Sequence, residues 1–206
     1  MVAVDGVAEN PTTNEQTAGL VEKLQSGNPR ERWNAADALG RMGRTCDVTS
    51  AVPALLRLAE DEDDDVRCAA ARALGHVGSD ARCASELVRL LADDDGCVRF
   101  GAAEGLGNLG SSASCGTVEL KEALLDEEED VRAASAQALG KLVKSGSVAA
   151  ADVVPSVMQA FADEEWSVRR SAAEALGRCK DPGADAMAML RKAARTDPNP
   201  VVRRAA

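Results

Sequence analysis

The side chains here that could do chemistry are one histidine, six cysteines and an excess of carboxylates, and their spacing removes most active sites. His76 is the only histidine, so a metal centre built on several imidazoles cannot be assembled. A Ser-His-Asp triad would need His76 in a cleft, whereas the pattern around it puts it near the end of a helix. Asp61, Asp63 and Asp65 alternate like a calcium loop, but the sixth place is Val66 where glycine turns the chain and the twelfth is Arg72 where a glutamate binds. Gly105-Leu-Gly107-Asn-Leu-Gly110 matches a dinucleotide-binding glycine pattern, yet it follows no strand and ends a helical period, so no helix N-terminus is offered to a phosphate. The acidic pairs are too numerous to single out a general acid and base. No catalytic, cofactor-binding or metal-ligating residue is expected.

Cys46, Cys68, Cys83, Cys97, Cys115 and Cys179 fall singly, with no C-x-x-C spacing, and read as reduced, mostly buried small hydrophobes. Cys83 and Cys115 occupy the same place in adjacent repeats, so a thiol pair between them is the one open alternative.

The elements that carry these residues follow from a recurring frame, D-x-x-x-x-V-R-x-x-A-A-x-A-L-G. Its valines are Val66, Val98, Val131, Val168 and Val202, at steps of 32, 33, 37 and 34 residues, and an earlier, degenerate copy has Glu31-Arg32. A period in the thirties means one helical hairpin per repeat, unable to bury its apolar face without a neighbour. Counted from each valine, apolar residues return at zero, four, eight and eleven places: Val66, Ala70, Leu74, Val77 and Val98, Ala102, Leu106, Leu109, with Ser135 the exception in the next copy. That is one face of a first helix. Small residues between them (Ala69, Ala71, Ala73; Gly101, Ala103, Gly105) let another helix approach closely, and Gly40, Gly75, Gly107, Gly140 and Gly177 ease packing or the following turn. Second helices are predicted over 52–58, 84–91, 118–125, 153–161 and 184–194. Acidic runs before each valine can cap the first helices.

The repeated V-R-x-x-A-A-x-A-L-G core, intact at Val66 to Gly75 and Val168 to Gly177, resembles the HEAT-like repeats of the phycobilisome lyase type, within the HEAT and armadillo class, over about residues 28 to 206. The resemblance implies an all-α fold, a right-handed α-α superhelix of about five and a half helical-hairpin repeats. It implies that Arg67, Arg99, Arg132 and Arg169, with Asp61, Asp93, Asp126 and Asp163, form an inter-repeat ladder. It also implies a protein-binding scaffold or adaptor without catalysis, or alternatively a bilin lyase or chaperone-like subunit acting on a phycobiliprotein.

Charge and hydropathy narrow the partner. With 24 basic against 34 acidic residues the net charge is −10, which repels a phosphate backbone. No apolar run approaches the roughly 20 residues that span a bilayer. Nucleic acid and membrane insertion are therefore not expected; another protein is, with no cofactor, in the cytoplasm or in an organelle such as a plastid if a targeting segment was removed. Two surfaces are candidates. Placing the second helices on the concave side makes Arg57, Arg89, Glu86, Glu119, Glu122 and Gln159 concave rows graded from basic to acidic. Trp33, Cys68 and Phe100, two places after the valine in successive first helices, then form a convex ridge beside the polar Asp37, Arg72 and Glu104. Residues 1–12 are expected to be a flexible segment before a solenoid over 13–206, whose halt at Ala206 inside a first helix suggests a fragment or a docked end. The loop at 144–151 accounts for the 37-residue step.

Overall fold

The computed structural model describes residues 12–206; the expected flexible segment lies outside them except for Thr12, which caps the first helix. Every element among the described residues is helical: α1 (Thr13–Lys23), α2 (Pro29–Gly43), α3 (Val52–Leu58), α4 (Asp64–Val77), α5 (Ala81–Leu90), α6 (Gly96–Leu109), α7 (Thr117–Glu122), α8 (Glu129–Ser145), α9 (Ala150–Gln159), α10 (Trp166–Gly177), α11 (Ala184–Thr196) and α12 (Pro200–Ala205), with short 3-10 turns between some of them. The starts are written locally. Asn28 and Asn199 cap helices whose first residue is proline, and Asp63 and Asp95 accept from the N–H groups of Val66 and Val98. In the 37-residue step the helix is longer than in its neighbours, with α8 running to Ser145 before Gly146, at φ +79°, closes it in the left-handed region.

The frame helices α2, α4, α6, α8 and α10 pack in sequence as one layer, and α3, α5, α7, α9 and α11 form a second. The valine and leucine of each frame (Val66, Leu74; Val98, Leu106; Val131, Leu139; Val168, Leu176) are fully or almost fully buried between the layers, a continuous interior filled by Ala and Leu because the chain has only four aromatic residues.

The two layers are not spaced alike. In the frame layer the backbones touch: a methyl added at Gly75 would lie 2.3 Å from the Cα of Gly105, one at Gly107 2.9 Å from the Cα of Ala138, and one at Gly140 2.7 Å from the Cα of Ala175. Successive second helices scarcely meet, and an open cavity of about 640 Å³ lies beside α9 and α11. In a curved stack the more closely spaced layer has the shorter arc and faces the centre of curvature. The frame helices are therefore the concave layer and the second helices the convex one. This reverses the expected assignment of faces, because the small residues that set the spacing sit on the first helices.

Candidate functional site: the inner groove and its ladder

The ladder at the turns fixes how one repeat sits on the next. Arg32 meets Asp61 at 2.7 Å, Arg67 meets Asp93 at 3.0 Å, Arg99 meets Asp126 at 2.8 Å, Arg132 meets Asp163 at 2.7 Å and Arg169 meets Asp197 at 2.9 Å, all largely buried. From Arg67 to Arg169 the guanidinium is bidentate on the next repeat's carboxylate and donates its remaining nitrogen to a carbonyl of its own turn, as Arg99 does to Asp93. Each carboxylate also accepts a backbone N–H two residues on, such as Asp95 to Asp93. For Asp93, Asp126 and Asp163 burial pushes the carboxyl up, but the arginine and backbone hydrogen bonds outweigh it and hold the group below its ordinary value. At Asp197 the bond from Arg169 is the largest influence, with the same outcome. Three of these bonds join expected residues to one another, while Asp61 takes Arg32 of the degenerate copy and Arg169 takes Asp197, two residues outside the expected set.

Three rows cross the inner face, at two, six and ten places after the frame valine. The first reads Trp33, Cys68, Phe100, Ala133, Arg170; the second Asp37, Arg72, Glu104, Gln137, Glu174; the third Arg41, His76, Asn108, Lys141, Arg178. Adjacent repeats are linked through them: Arg72 to Glu104 at 2.9 Å, Gln137 to Ser171 at 3.1 Å, Lys141 to Asn108 at 2.8 Å, and Asn108 to His76 at 3.4 Å. Burial pushes the His76 imidazole and the Lys141 ammonium down, so a neutral His76 can accept from the Asn108 amide. The third row, mostly basic, escaped the sequence reading; its signal was the same four-residue step that ties the first row to the second.

Trp33 is 39% exposed and Trp166 41% exposed, on a surface otherwise polar. Trp33 lines a concavity with Asp63 and Asp65; Trp166 lines another with Phe100, Glu104, Asp130, Gln137 and Arg170. Glu129 and Glu165 lie beside each other near Trp166, and the hydrogen-bonding contact with Glu165 raises the Glu129 carboxyl. The rim at the helix N-termini is thus aromatic and acidic, and the opposite row is basic.

The ridge residues are corrected accordingly. Trp33 and Phe100 lie on the concave face, Phe100 half-buried against the core, and Cys68 is only 6% exposed because it packs into the joint between α4 and α6. The rows expected in the groove are on the convex layer. Arg57, Glu122 and Gln159 are exposed there; Arg89 pairs with Glu86 and donates to the carbonyl of Ala59; Glu119 is half-buried. Cys83 is buried beside Gly78, where burial lifts its thiol to about 11, while Cys115 is exposed in the segment before α7, with no thiol contact between them. Asp63, Asp64 and Asp65 bring three carboxylate oxygens within 4.8 Å of one another, the only group among the described residues that could hold a metal ion. Asp63 is already engaged as a helix cap. No described helix is long and apolar enough to cross a membrane.

Stacked hairpins joined by a buried Arg–Asp ladder define a repeat solenoid of the HEAT and armadillo class. A family model for HEAT repeats matches residues 17–107 and 117–206, and the chain belongs to that family. No curated protein matches the sequence. Among solved structures it is similar to the complex of CpcE and CpcF of phycocyanin lyase from Nostoc sp. PCC7120, at 23% identity over 100% of this chain and 79% of that one, TM-score 0.67. It is similar to a designed armadillo repeat protein in complex with the peptide (KR)4, at 18% identity over 91% and 95%, TM-score 0.62. An archaeal HEAT-like repeats protein from Thermococcus onnurineus NA1 is 14% identical over 92% and 83%, TM-score 0.63. At these identities the likeness is one of fold.

Proposed function

We propose that the protein is a non-catalytic scaffold that holds an extended segment of another protein along its inner groove, basic side chains of that segment resting on the aromatic and acidic rim. The observation that carries this is the pair of exposed indoles, each with carboxylates on one flank and cations on the other: Trp33 between Asp63 and Asp65 and the arginines Arg30, Arg41 and Arg72, Trp166 beside Asp130 and the Glu129–Glu165 pair with Arg170 and Lys141 across the concavity. An indole face attracts a lysine or arginine cation, and carboxylates lining the same concavity add to the attraction. A cation between Glu129 and Glu165 would also relieve their repulsion. A repeat protein of similar fold is known in complex with the peptide (KR)4, which makes that peptide a suitable probe.

Trp33 and Trp166 are the chain's only tryptophans, so intrinsic fluorescence reports on the groove directly. Titration with a (Lys-Arg)4 peptide is expected to change the emission saturably, an octaglutamate peptide to leave it unchanged, and Trp166→Phe to remove one component. Asp130→Lys should weaken binding, whereas Arg89→Glu on the convex layer should not. Identical responses to both peptides would overturn the reading. The alternative, a bilin lyase subunit, has behind it the likeness to the CpcE–CpcF complex, which is a likeness of fold. A shifted visible band on mixing the purified protein with free bilin would favour it over the scaffold.

A further inference from the structure

The repeat geometry sets a rule of register on the inner face: the residue two places after one frame valine meets the residue one place before the next. Trp33 shares a concavity with Asp65, and Phe100 and Ala133 share one with Asp130 and Ser167. At the joint between α4 and α6 the same rule brings Cys68 to Cys97, with their sulfurs 2.7 Å apart. Elsewhere Cys97's place is taken by Asp65, Asp130, Ser167 or Val201, and among the described residues no other two cysteines touch. The separation falls between the roughly 2.05 Å of a disulfide bond and ordinary non-bonded contact, so little backbone movement separates the dithiol from the bonded form. Exposure divides the pair. Cys97 stands in the first turn of α6 and is open to solvent, whereas Cys68 is buried beneath it.

We propose that Cys68 and Cys97 are a redox site, forming a reversible disulfide that staples α4 to α6 across the inner layer when the protein meets hydrogen peroxide. Cys97 is the sulfur an oxidant reaches. Its thiolate takes one oxygen from the peroxide, the S–O bond forming as the O–O bond breaks, and the departing hydroxide collects the thiol proton as water. The Cys68 sulfur then attacks the Cys97 sulfur and displaces the second hydroxide, which leaves as water with the Cys68 proton. Two thiols lose two electrons in all, the peroxide gains them, and two waters are released. Burial raises the Cys68 thiol and keeps it protonated until this second step. A small dithiol reverses the reaction by exchange. The staple would lock the spacing of two neighbouring repeats whose close approach determines the curvature of the groove. It requires nothing about what the groove binds.

The whole chain is treated with graded hydrogen peroxide, blocked with an alkylating agent, and mapped by trypsin and mass spectrometry without reduction. The expected result is loss of two hydrogens per chain and one linked species, Cys68–Arg72 joined to Leu90–Arg99, abolished by dithiothreitol. Cys97→Ser, at an exposed position, should fold with an unchanged circular dichroism spectrum and give no linked species. A disulfide mapped to any other pair would overturn the proposal, as would sulfinic acid accumulating on Cys97 while Cys68 remains alkylatable, or a linkage that dithiothreitol leaves in place.

Discussion

The inner and outer layers are built from the same repeats and behave as different materials. The inner helices are tied twice, by backbone contacts that glycine and alanine permit and by side-chain bonds from repeat to repeat. The outer helices bury their leucines inward and leave their neighbours at a distance, with Leu125 80% and Val118 57% exposed. Curvature therefore comes from residue size on one layer, and on the outer layer Arg89 pairs with Glu86 of its own helix and reaches the preceding repeat through one bond, to the carbonyl of Ala59.

The largest expected effect separates the ladder from the surface. Asp126→Ala strands the buried Arg99 guanidinium and should cost about 3–5 kcal/mol in urea unfolding, whereas Glu86→Ala, which frees an exposed arginine, should cost no more than about 1 kcal/mol. Equal losses would mean that the inner layer is not the structural one. Next comes the spacing itself. Gly75→Ala must push Gly105 aside and should cost about 1–3 kcal/mol, while Gly177→Ala, the same frame position with nothing within 4 Å, should be neutral or stabilise by up to about 1 kcal/mol through helix propensity.

Acid should then weaken the inner layer in two stages, followed by the midpoint of thermal unfolding. His76 is held below its ordinary value, so as pH falls below about 6.5 the unfolded chain takes a proton that the folded one resists, and stability declines until the folded His76 itself titrates. His76→Gln should remove this stage. The ladder carboxylates at Asp93, Asp126, Asp163 and Asp197 are likewise lowered, so their contribution is complete above about pH 4 and is lost as pH drops through their depressed values. The smallest change expected is at Ser135, fully buried with an unpartnered hydroxyl where other repeats carry alanine. Ser135→Ala should raise stability by up to about 1 kcal/mol.

Much of this molecule was legible in its residues, and the failures are specific. The frame located the helices to within a few positions, and α3 was placed at its observed limits. The helices α7 and α9 end earlier than the expected 125 and 161, because the apolar residues at 123–125 and 160–162 continue the pattern while the chain closes there in tight 3-10 turns. The row of Arg41, His76, Asn108, Lys141 and Arg178 went unread because its chemistry changes at each repeat even though its spacing does not. The cysteine pairing failed for an instructive reason. Equivalent places, as at Cys83 and Cys115, are separated by a whole repeat translation, whereas contacts across a joint link non-equivalent places, as at Cys68 and Cys97.

The sequence alone determined that the chain is a stack of helical hairpins, which side of each helix is buried, and where most arginines and aspartates of the ladder lie, all but Arg32 and Asp197, since these depend on periodicity within a repeat. The tertiary structure decided which layer is concave, which residues meet across a joint, and that the indoles share a groove with carboxylates. Those depend on the small difference in spacing between two layers, accumulated over successive repeats, and no single repeat contains it.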